Sequence, residues 1–173
     1  MFEVPYFGRK AYLTQSWQLY AEAAMPALER LYTIAPSFRA EKSRTRRHLT
    51  EFWHAEMEIA WADNNDVMDH GEALVRHIAR TLLAERPAEL ESLGRDLGAI
   101  RRFADSDYPR IRYDEAIERL KTKGVEIEWG QDLDYSKEKI LTADFDVPHF
   151  LTHLSLIHIS RCRRVTTWRD RGC

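Results

Sequence analysis

The 173 residues suffice for one domain with a hydrophobic core but not for two of ordinary size. Hydrophobic residues make up 44% and charged residues 31%, which is typical of soluble globular proteins, and no apolar run approaches the roughly 20 residues of a transmembrane helix. The formal net charge of −2 gives no general attraction to nucleic acid. Both cysteines, Cys162 and Cys173, lie near the C-terminus, so no disulfide framework is indicated. We therefore expect a cytoplasmic protein.

The charge is unevenly distributed along the chain. Five of the 26 basic residues but only one of the 28 acidic residues follow His153, so residues 1–153 carry a formal net charge of −6 and residues 154–173 carry +4. A basic tail of this kind is one way to bind nucleic acid. Residues 154–164, LSLIHISRCRR, instead resemble the translation of a sequencing-library adapter, apart from Ser160. We therefore predict that residues 154–173 are not native and exclude them from the fold.

The first part of the chain predicts strands around one helix. Four segments are β-prone: residues 11–14, 31–34, 38–41 and 51–62. The second of these is expected to end at Ala35-Pro36, and a strongly basic loop joins the last two. A helix is predicted from Leu19 to Arg30, with an early interruption at Pro26.

The second part of the chain predicts mainly helices. Four segments have helical spacing or capping residues: residues 65–87, 87–98, 113–121 and 136–141. Asn65 or Asp66 can cap the first of these helices, and Gly124 ends the third. A final strand is predicted over residues 148–153. Consecutive strands in the first part of the chain, with helices inserted after them, indicate an α+β domain with an antiparallel β-sheet flanked by helices.

The most informative segment is a predicted hairpin with a basic loop, residues 38–52, FRAEKSRTRRHLTEF. Several converging arginines can grip phosphate oxygens in pairs, and an aromatic ring with a nearby acceptor can bind a purine. Alternation along a strand places Arg39 and Glu41 on the same face, as a single nucleotide requires. The alternative for such a run of arginines is a solvated, salt-bridged hairpin.

This segment resembles motif 2 of the class II aminoacyl-tRNA synthetases, which reads Phe-Arg-x-Glu, a loop, and then His or Arg with Phe four residues later. The asparagine-specific form is the most similar. The resemblance implies that Arg39 holds the α-phosphate of ATP and stabilises the charge that develops there, and that Glu41 binds the adenine amino group. It also implies that Arg47 and His48 reach the outer phosphates and that Phe52 stacks on the adenine.

Residues 6–20, YFGRKAYLTQSWQLY, resemble the amino acid-binding strand and helix of the aspartate/asparagine subgroup of this family. In that subgroup Gln18 would contact the backbone of the amino acid. An aspartate enzyme has lysine at the position of Ala21, whereas an asparagine enzyme has glutamate at the position of Glu22. A glutamate accepts hydrogen bonds from an amide NH2 and repels a carboxylate. Trp17 is a departure, because the subgroup has Gly or Pro there, and an indole could narrow the pocket.

A weaker resemblance to the same subgroup begins at residue 129 with Trp-Gly-Gln-Asp-Leu. Asp132 and Asp134 in this segment are expected to be loop and capping residues rather than metal ligands. Three histidines are also expected to be structural: His70, His77 and His149. No Cys or His spacing typical of zinc occurs before residue 154, so we expect no metal ligands in this chain.

The resemblance covers residues 3–153, which correspond to the central part of the family's catalytic domain. It predicts a partial catalytic domain over residues 1–153 that contains motif 2 but lacks motifs 1 and 3 and the anticodon-binding domain. The ligands of the Mg2+ that accompanies ATP would lie in the missing C-terminal part. The dimer interface would lie in motif 1, since the full-length family member is a homodimer. The fragment by itself is therefore expected to be inactive.

The function implied by the resemblance is an asparagine–tRNA ligase. Such an enzyme uses ATP to activate asparagine as asparaginyl-adenylate and transfers the asparaginyl group to tRNA(Asn), with positioning and charge stabilisation as the main tasks. Three alternatives stay open: a free-standing paralogue of the asparagine synthetase type, an aspartate-accepting synthetase, and a non-catalytic module that binds nucleotide or RNA. None of them involves a membrane.

Overall fold

The computed structural model describes residues 1–40 and 49–154, which fall into two compact units divided between Asn64 and Asn65. The described elements of the first unit are β1 Glu3–Tyr6, β2 Arg9–Tyr12, α1 Gln18–Leu28, β3 Arg30–Phe38 and β4 Glu51–Ile59. Those that follow are α2 Asn64–Glu85, α3 Pro87–Ser92, α4 Leu97–Asp105, β5 Arg110–Arg112, α5 Tyr113–Thr122, α6 Tyr135–Thr142 and β6 Phe150–Thr152. The predicted α+β class is confirmed. The strands form antiparallel pairs β1–β2 and β3–β4 and a short parallel pair β5–β6.

The hairpin β1–β2 turns through two residues. Phe7 and Gly8 connect the paired residues Tyr6 and Arg9, and both adopt positive φ angles, 44° and 74°. Two consecutive positive φ angles are the geometry that matches the twist of a two-residue hairpin, and glycine adopts it without steric cost. The sequence prediction placed a strand over residues 11–14 and did not include β1.

The hairpin β3–β4 contains a proline inside one strand. The prediction of separate strands over residues 31–34 and 38–41, with an end at Pro36, is wrong, because β3 runs continuously from Arg30 to Phe38. The backbone N–H of Phe38 points away from β4, since it donates to the carbonyl of Thr14 at 2.8 Å. Alternation gives the nitrogen of Pro36 the same direction, so the proline removes no hydrogen bond between β3 and β4.

Helix α1 tolerates a proline close to its end. The predicted early interruption at Pro26 is wrong, since α1 continues to Leu28 and the N–H of Glu29 still donates to the carbonyl of Met25 at 2.9 Å. A proline at this position removes one backbone hydrogen bond. Helix α1 as a whole contacts both β3 and β4, and it continues past the proline in spite of that loss.

The second unit has a buried core around α5. Its buried members are Ile111, Tyr113, Ala116, Ile117, Leu120, Ile127, Leu133 and Leu141. The hydroxyl of Tyr113 donates to the carbonyl of Gln131 at 2.5 Å and accepts from the N–H of Gly130 at 3.1 Å. These bonds attach the segment that begins at Trp129 to α5. The sequence prediction missed α4 and β5. No helix in the described part of the chain is long and apolar enough to cross a membrane.

Candidate functional site

The strand β4 has two faces of different composition. Its half-buried face carries Phe52, His54, Glu56 and Glu58. The opposite face is exposed and includes Trp53 and Met57, whose exposed fractions are 74% and 47%. The half-buried face is directed toward α1, because Ser16 and Trp17, which immediately precede the helix, bond to Glu56. The candidate site is therefore built on a polar sheet face covered by a helix.

Arg39 and Phe52 lie together where the described part of the hairpin ends. The N–H of Arg39 donates to the carbonyl of Thr50 at 2.9 Å, which continues the pairing of the two strands. The guanidinium carbon of Arg39 lies 5.3 Å from the centroid of the Phe52 ring. At this distance a cation is attracted to the ring face. The predicted phosphate ligand and the predicted adenine-stacking residue are thus neighbours.

Three other predicted ATP-binding residues lie outside the described part of the chain: Glu41, Arg47 and His48. The predicted placement of Arg39 and Glu41 on one face, and the reach of the loop toward the outer phosphates, stay predictions.

Gln18 and Glu22 lie on one face of α1. Gln18 is the first residue of the helix, and its side-chain amide donates to Oε1 of Glu22 at 3.0 Å. Residues four positions apart are neighbours on a helix surface, which is why the two side chains meet. The two predicted amino acid-binding residues are therefore brought together. Ala21, beside them, is fully buried.

The face between α1 and β4 has a concentrated negative charge. Burial raises the pKa of Glu58 from its ordinary value of 4.5, and the charges of Glu22 and Glu56 raise it further. Glu58 therefore lies in a partly desolvated position, within the electrostatic field of both other carboxylates. Such a surface favours a positively charged or hydrogen-bond-donating ligand and disfavours an added carboxylate.

A hydrogen-bonded network links β4 to the start of α1. Glu56 accepts from the hydroxyl of Ser16 at 2.5 Å and from the N–H of Trp17 at 3.0 Å. The Ser16 hydroxyl in turn accepts from the N–H of Gln18 at 3.1 Å. Nδ1 of His54 lies 3.4 Å from the Glu56 carboxylate. A helix N-terminus has unpaired N–H groups and a partial positive charge. A carboxylate at this position can accept hydrogen bonds from such groups and is attracted to the charge.

The sequence prediction missed this network. The residues it did not assign to the site are Ser16, Ser37, His54, Glu56 and Glu58. The signal was present as a period of two, since polar side chains occupy every second position from 54 to 58. Of the missed residues, Ser37 is 2% exposed and its hydroxyl lies 3.2 Å from Nδ1 of His54.

Trp17, the residue that departs from the subgroup pattern, is the N-cap of α1. Its carbonyl accepts from the N–H of Tyr20 at 2.9 Å, and its side chain makes no capping bond. An indole has no acceptor for the N–H groups of the first turn. Ser16 and Glu56 instead accept from the N–H groups of Gln18 and Trp17, at the start of the helix. The prediction that the indole narrows the amino acid pocket is untested.

In the second unit, two of the acidic and histidine candidates, Asp134 and His149, have structural roles. Asp134 caps α6 by accepting from the N–H groups of Ser136 and Lys137. Its pKa is held well below the usual range by the hydroxyl of Ser136 and then by the N–H and the side chain of Lys137. The ring of His149 stacks on Phe145 at 4.3 Å, and burial lowers the pKa of His149. The prediction that Asp134 is a cap is confirmed. Within the described ranges, no group of three or more His, Cys, Asp or Glu side chains is arranged to hold a metal ion.

The second unit also contains an open cleft of about 510 Å3. Its charged lining is paired internally: Arg76 lies 2.8 Å from Glu72 and 2.6 Å from Asp107, and Arg110 bonds to Asp69. Because the arginines are already neutralised by neighbouring carboxylates, the cleft has little net charge with which to attract an ion.

Comparison with known proteins shows the family of this chain. The family of class II tRNA synthetases (D, K and N) matches residues 1–164. The chain belongs to this family.

Among the relatives, the asparagine–tRNA ligase of Thermococcus gammatolerans is 50% identical over 151 residues, which are 87% of this chain and 35% of the relative. Asparaginyl-tRNA synthetase from Pyrococcus horikoshii, solved with asparaginyl-adenylate, matches with a TM-score of 0.79 and 50% identity, over 87% of this chain and 34% of that chain. The Entamoeba histolytica asparaginyl-tRNA synthetase, also solved with asparaginyl-adenylate, matches with a TM-score of 0.73 and 28% identity over 90% and 36%. The chain thus spans about a third of the length of these relatives.

Proposed function

We propose that this chain forms part of an asparagine–tRNA ligase that works in the cytoplasm. In this reaction the carboxylate of asparagine attacks the α-phosphorus of ATP and pyrophosphate leaves. A ribose hydroxyl of tRNA(Asn) then attacks the carbonyl carbon of the asparaginyl-adenylate, and AMP leaves. The observation that carries the proposal is the Gln18–Glu22 pair on α1, which lies against β4 in the same unit that holds Arg39 and Phe52.

Arg39 and Phe52 would bind the nucleotide. The guanidinium of Arg39 can pair with phosphate oxygens and stabilise the negative charge that develops as the carboxylate attacks. The ring of Phe52 provides the flat apolar surface that a purine requires. The guanidinium and the ring are 5.3 Å apart, so one nucleotide can contact both. Glu41, Arg47 and His48 would complete the binding of adenine and the outer phosphates.

Gln18 and Glu22 would bind the amino acid. The amide NH2 of asparagine finds a charged acceptor in Glu22, whereas the carboxylate of aspartate would be repelled by it. The carboxylates of Glu56 and Glu58 add to the negative potential at this place, and the pKa of Glu58 is raised by burial and then by the charges of Glu22 and Glu56. This potential argues for asparagine over aspartate as the substrate.

Magnesium ions that accompany ATP take oxygen ligands from carboxylates. The described residues do not provide a matching set, since no cluster of three or more potential ligands occurs among them. We therefore assign no step of the reaction to a metal bound by these residues, and we predict that its ligands lie in the C-terminal part of the family's catalytic domain. Homodimer formation, a property of the full-length family member, likewise stays a prediction.

The proposal can be tested in a chimera in which the matched 151 residues of this chain replace the corresponding segment of the Thermococcus gammatolerans ligase. We expect exchange of pyrophosphate into ATP that depends on asparagine and not on aspartate. Replacement of Arg39 by alanine should abolish exchange while the thermal unfolding of the chimera is retained. Exchange that depends on aspartate would refute the proposed substrate. Full activity of the Arg39→Ala variant would refute the proposed nucleotide site.

A further inference from the structure

Glu56 is the acceptor that joins the strand β4 to the start of the helix α1. Its carboxylate is 11% exposed and binds two groups that precede the first helical residue, the hydroxyl of Ser16 and the N–H of Trp17. Hydrogen bonds to an ionised carboxylate are stronger than those between neutral groups, and Glu56 accepts two of them, at 2.5 and 3.0 Å. This carboxylate therefore restrains α1 at the end where Gln18 lies.

The restraint continues from Glu56 to the predicted amino acid-binding residues through successive bonds. The Ser16 hydroxyl donates to Glu56 and accepts from the N–H of Gln18, and the Gln18 side chain donates to Glu22. Each bond fixes the next group in turn. On the other side, His54 lies close to both Glu56 and Ser37, so the acceptor is itself held in place.

We propose that Glu56 is a positioning residue for amino acid binding, which acts through Ser16 and the backbone of Trp17 to fix Gln18 and Glu22. The proposal rests on the proposed function, because it takes Gln18 and Glu22 as the groups that contact asparagine. Glu56 is not required to touch the substrate in this role. The nucleotide-binding pair at the end of the hairpin is not connected through these bonds.

The first test compares two Michaelis constants in the chimera described above. Replacing Glu56 by glutamine keeps the size of the side chain but puts an NH2 group in place of one acceptor oxygen. Since a hydrogen bond to a charged group is worth about 1.5–3 kcal/mol, we expect the KM for asparagine to rise about tenfold or more. The KM for ATP should change by less than about twofold. A matched control is Glu51→Gln, which removes a carboxylate from the exposed face of β4 and should change neither constant.

Ser16 provides a second comparison. The Ser16→Ala variant removes the link between Glu56 and the N–H of Gln18, so it should also raise the KM for asparagine. Combining it with Glu56→Gln should add little further loss, since both substitutions break one connected path. An equal rise of both Michaelis constants in Glu56→Gln, or an unchanged KM for asparagine, would overturn the proposal.

Amide hydrogen exchange in the 173-residue chain separates this proposal from the proposed function. In the Glu56→Gln variant the amide protons of Trp17 and Gln18 should exchange about tenfold faster or more, because the charged acceptor of the Trp17 N–H becomes neutral and the Ser16 hydroxyl, which accepts from the Gln18 N–H, is held less firmly. The amide of Glu29, at the opposite end of α1, is the internal control and should be unchanged. Unchanged exchange at Trp17 and Gln18 would overturn the positioning role, whether or not the chimera is active. A chimera without asparagine-dependent exchange would count against the proposed function alone.

Discussion

Replacement of Glu22 by glutamine tests the basis of substrate choice. In the structure Glu22 accepts a hydrogen bond from Gln18 at 3.0 Å, and glutamine can still provide a carbonyl oxygen for that bond. The variant should therefore fold normally. What it loses is a charged acceptor for the amide of asparagine. A hydrogen bond to a charged partner is worth about 1.5–3 kcal/mol and one between neutral groups about 0.5–1.5 kcal/mol, so the expected loss is about 1–1.5 kcal/mol.

That difference corresponds to a rise of roughly tenfold in the KM for asparagine. For aspartate the sign is opposite, because removal of the charge of Glu22 reduces repulsion of the substrate carboxylate. The ratio of kcat/KM for asparagine over aspartate should therefore fall by more than about tenfold. Aspartate should still be the poorer substrate, since Glu56 and Glu58 keep their charges.

Pyrophosphate exchange with asparagine and with aspartate, measured on the chimera with and without Glu22→Gln, provides the ratio of kcat/KM values before and after the substitution. The KM for ATP is the internal reference and should not change, because Glu22 does not belong to the nucleotide site. An unchanged preference for asparagine in the Glu22→Gln variant would refute the argument that Glu22 reads the substrate amide. The side chain would then be a neighbour of Gln18 and nothing more.

Two further predictions use neighbouring positions of β4. Phe52→Leu should raise the KM for ATP by roughly threefold to tenfold, because an aromatic stacking contact is worth about 0.5–1.5 kcal/mol. Trp53→Leu, on the exposed face, is the control and should leave this KM unchanged. Equal effects of the two variants would contradict the assignment of the faces. For Glu58, the folded chain keeps the proton to a higher pH than the unfolded chain does, so stability falls as the pH rises from the ordinary pKa of 4.5 through the raised value. Glu58→Gln should therefore increase the free energy of unfolding at pH 7 and have no such effect below about pH 4, and urea unfolding at the two pH values checks this.

The parts of the site that could be predicted are those with a local signature. Gln18, Glu22, Arg39 and Phe52 were assigned from short motifs, and the structure brings the first two together and the last two together. The motif assigns Glu41 a role as well, but that residue lies outside the described part of the chain. The boundaries of α2, α5 and α6 were predictable for a similar reason, because capping and periodicity are local. The prediction of a helix over residues 87–98 is wrong beyond Ser92, where α3 ends before α4 begins at Leu97.

The parts that could not be predicted depend on contacts between distant residues. Alternation along β4 separates Trp53 from Glu56, but it does not tell which face a helix covers. The general preference for buried apolar residues would place the face with Trp53 inside, and in this unit the polar face is the one that lies against α1. The bond of Glu56 to Ser16 spans 40 positions and has no signature in either segment. Pro36 within β3 is a further case. Whether a proline removes a hydrogen bond between two strands depends on which edge of its strand is paired.

The distribution of charge along β4 fits the proposed reaction. Carboxylates occupy positions 56 and 58, and the guanidinium of Arg39 lies beside position 52. Four to six residues of extended chain separate the two ends by about 13–20 Å. An amino acid that attacks ATP through its carboxylate must keep its positive and hydrogen-bond-donating groups away from the phosphates. A surface with acids at one end and arginine at the other favours that orientation and disfavours the reverse one. Because both ends belong to one hairpin, the orientation depends on the register of β3 with β4, and a shift of β4 by one residue would turn Glu56 and Glu58 to the other face while Arg39 kept its direction.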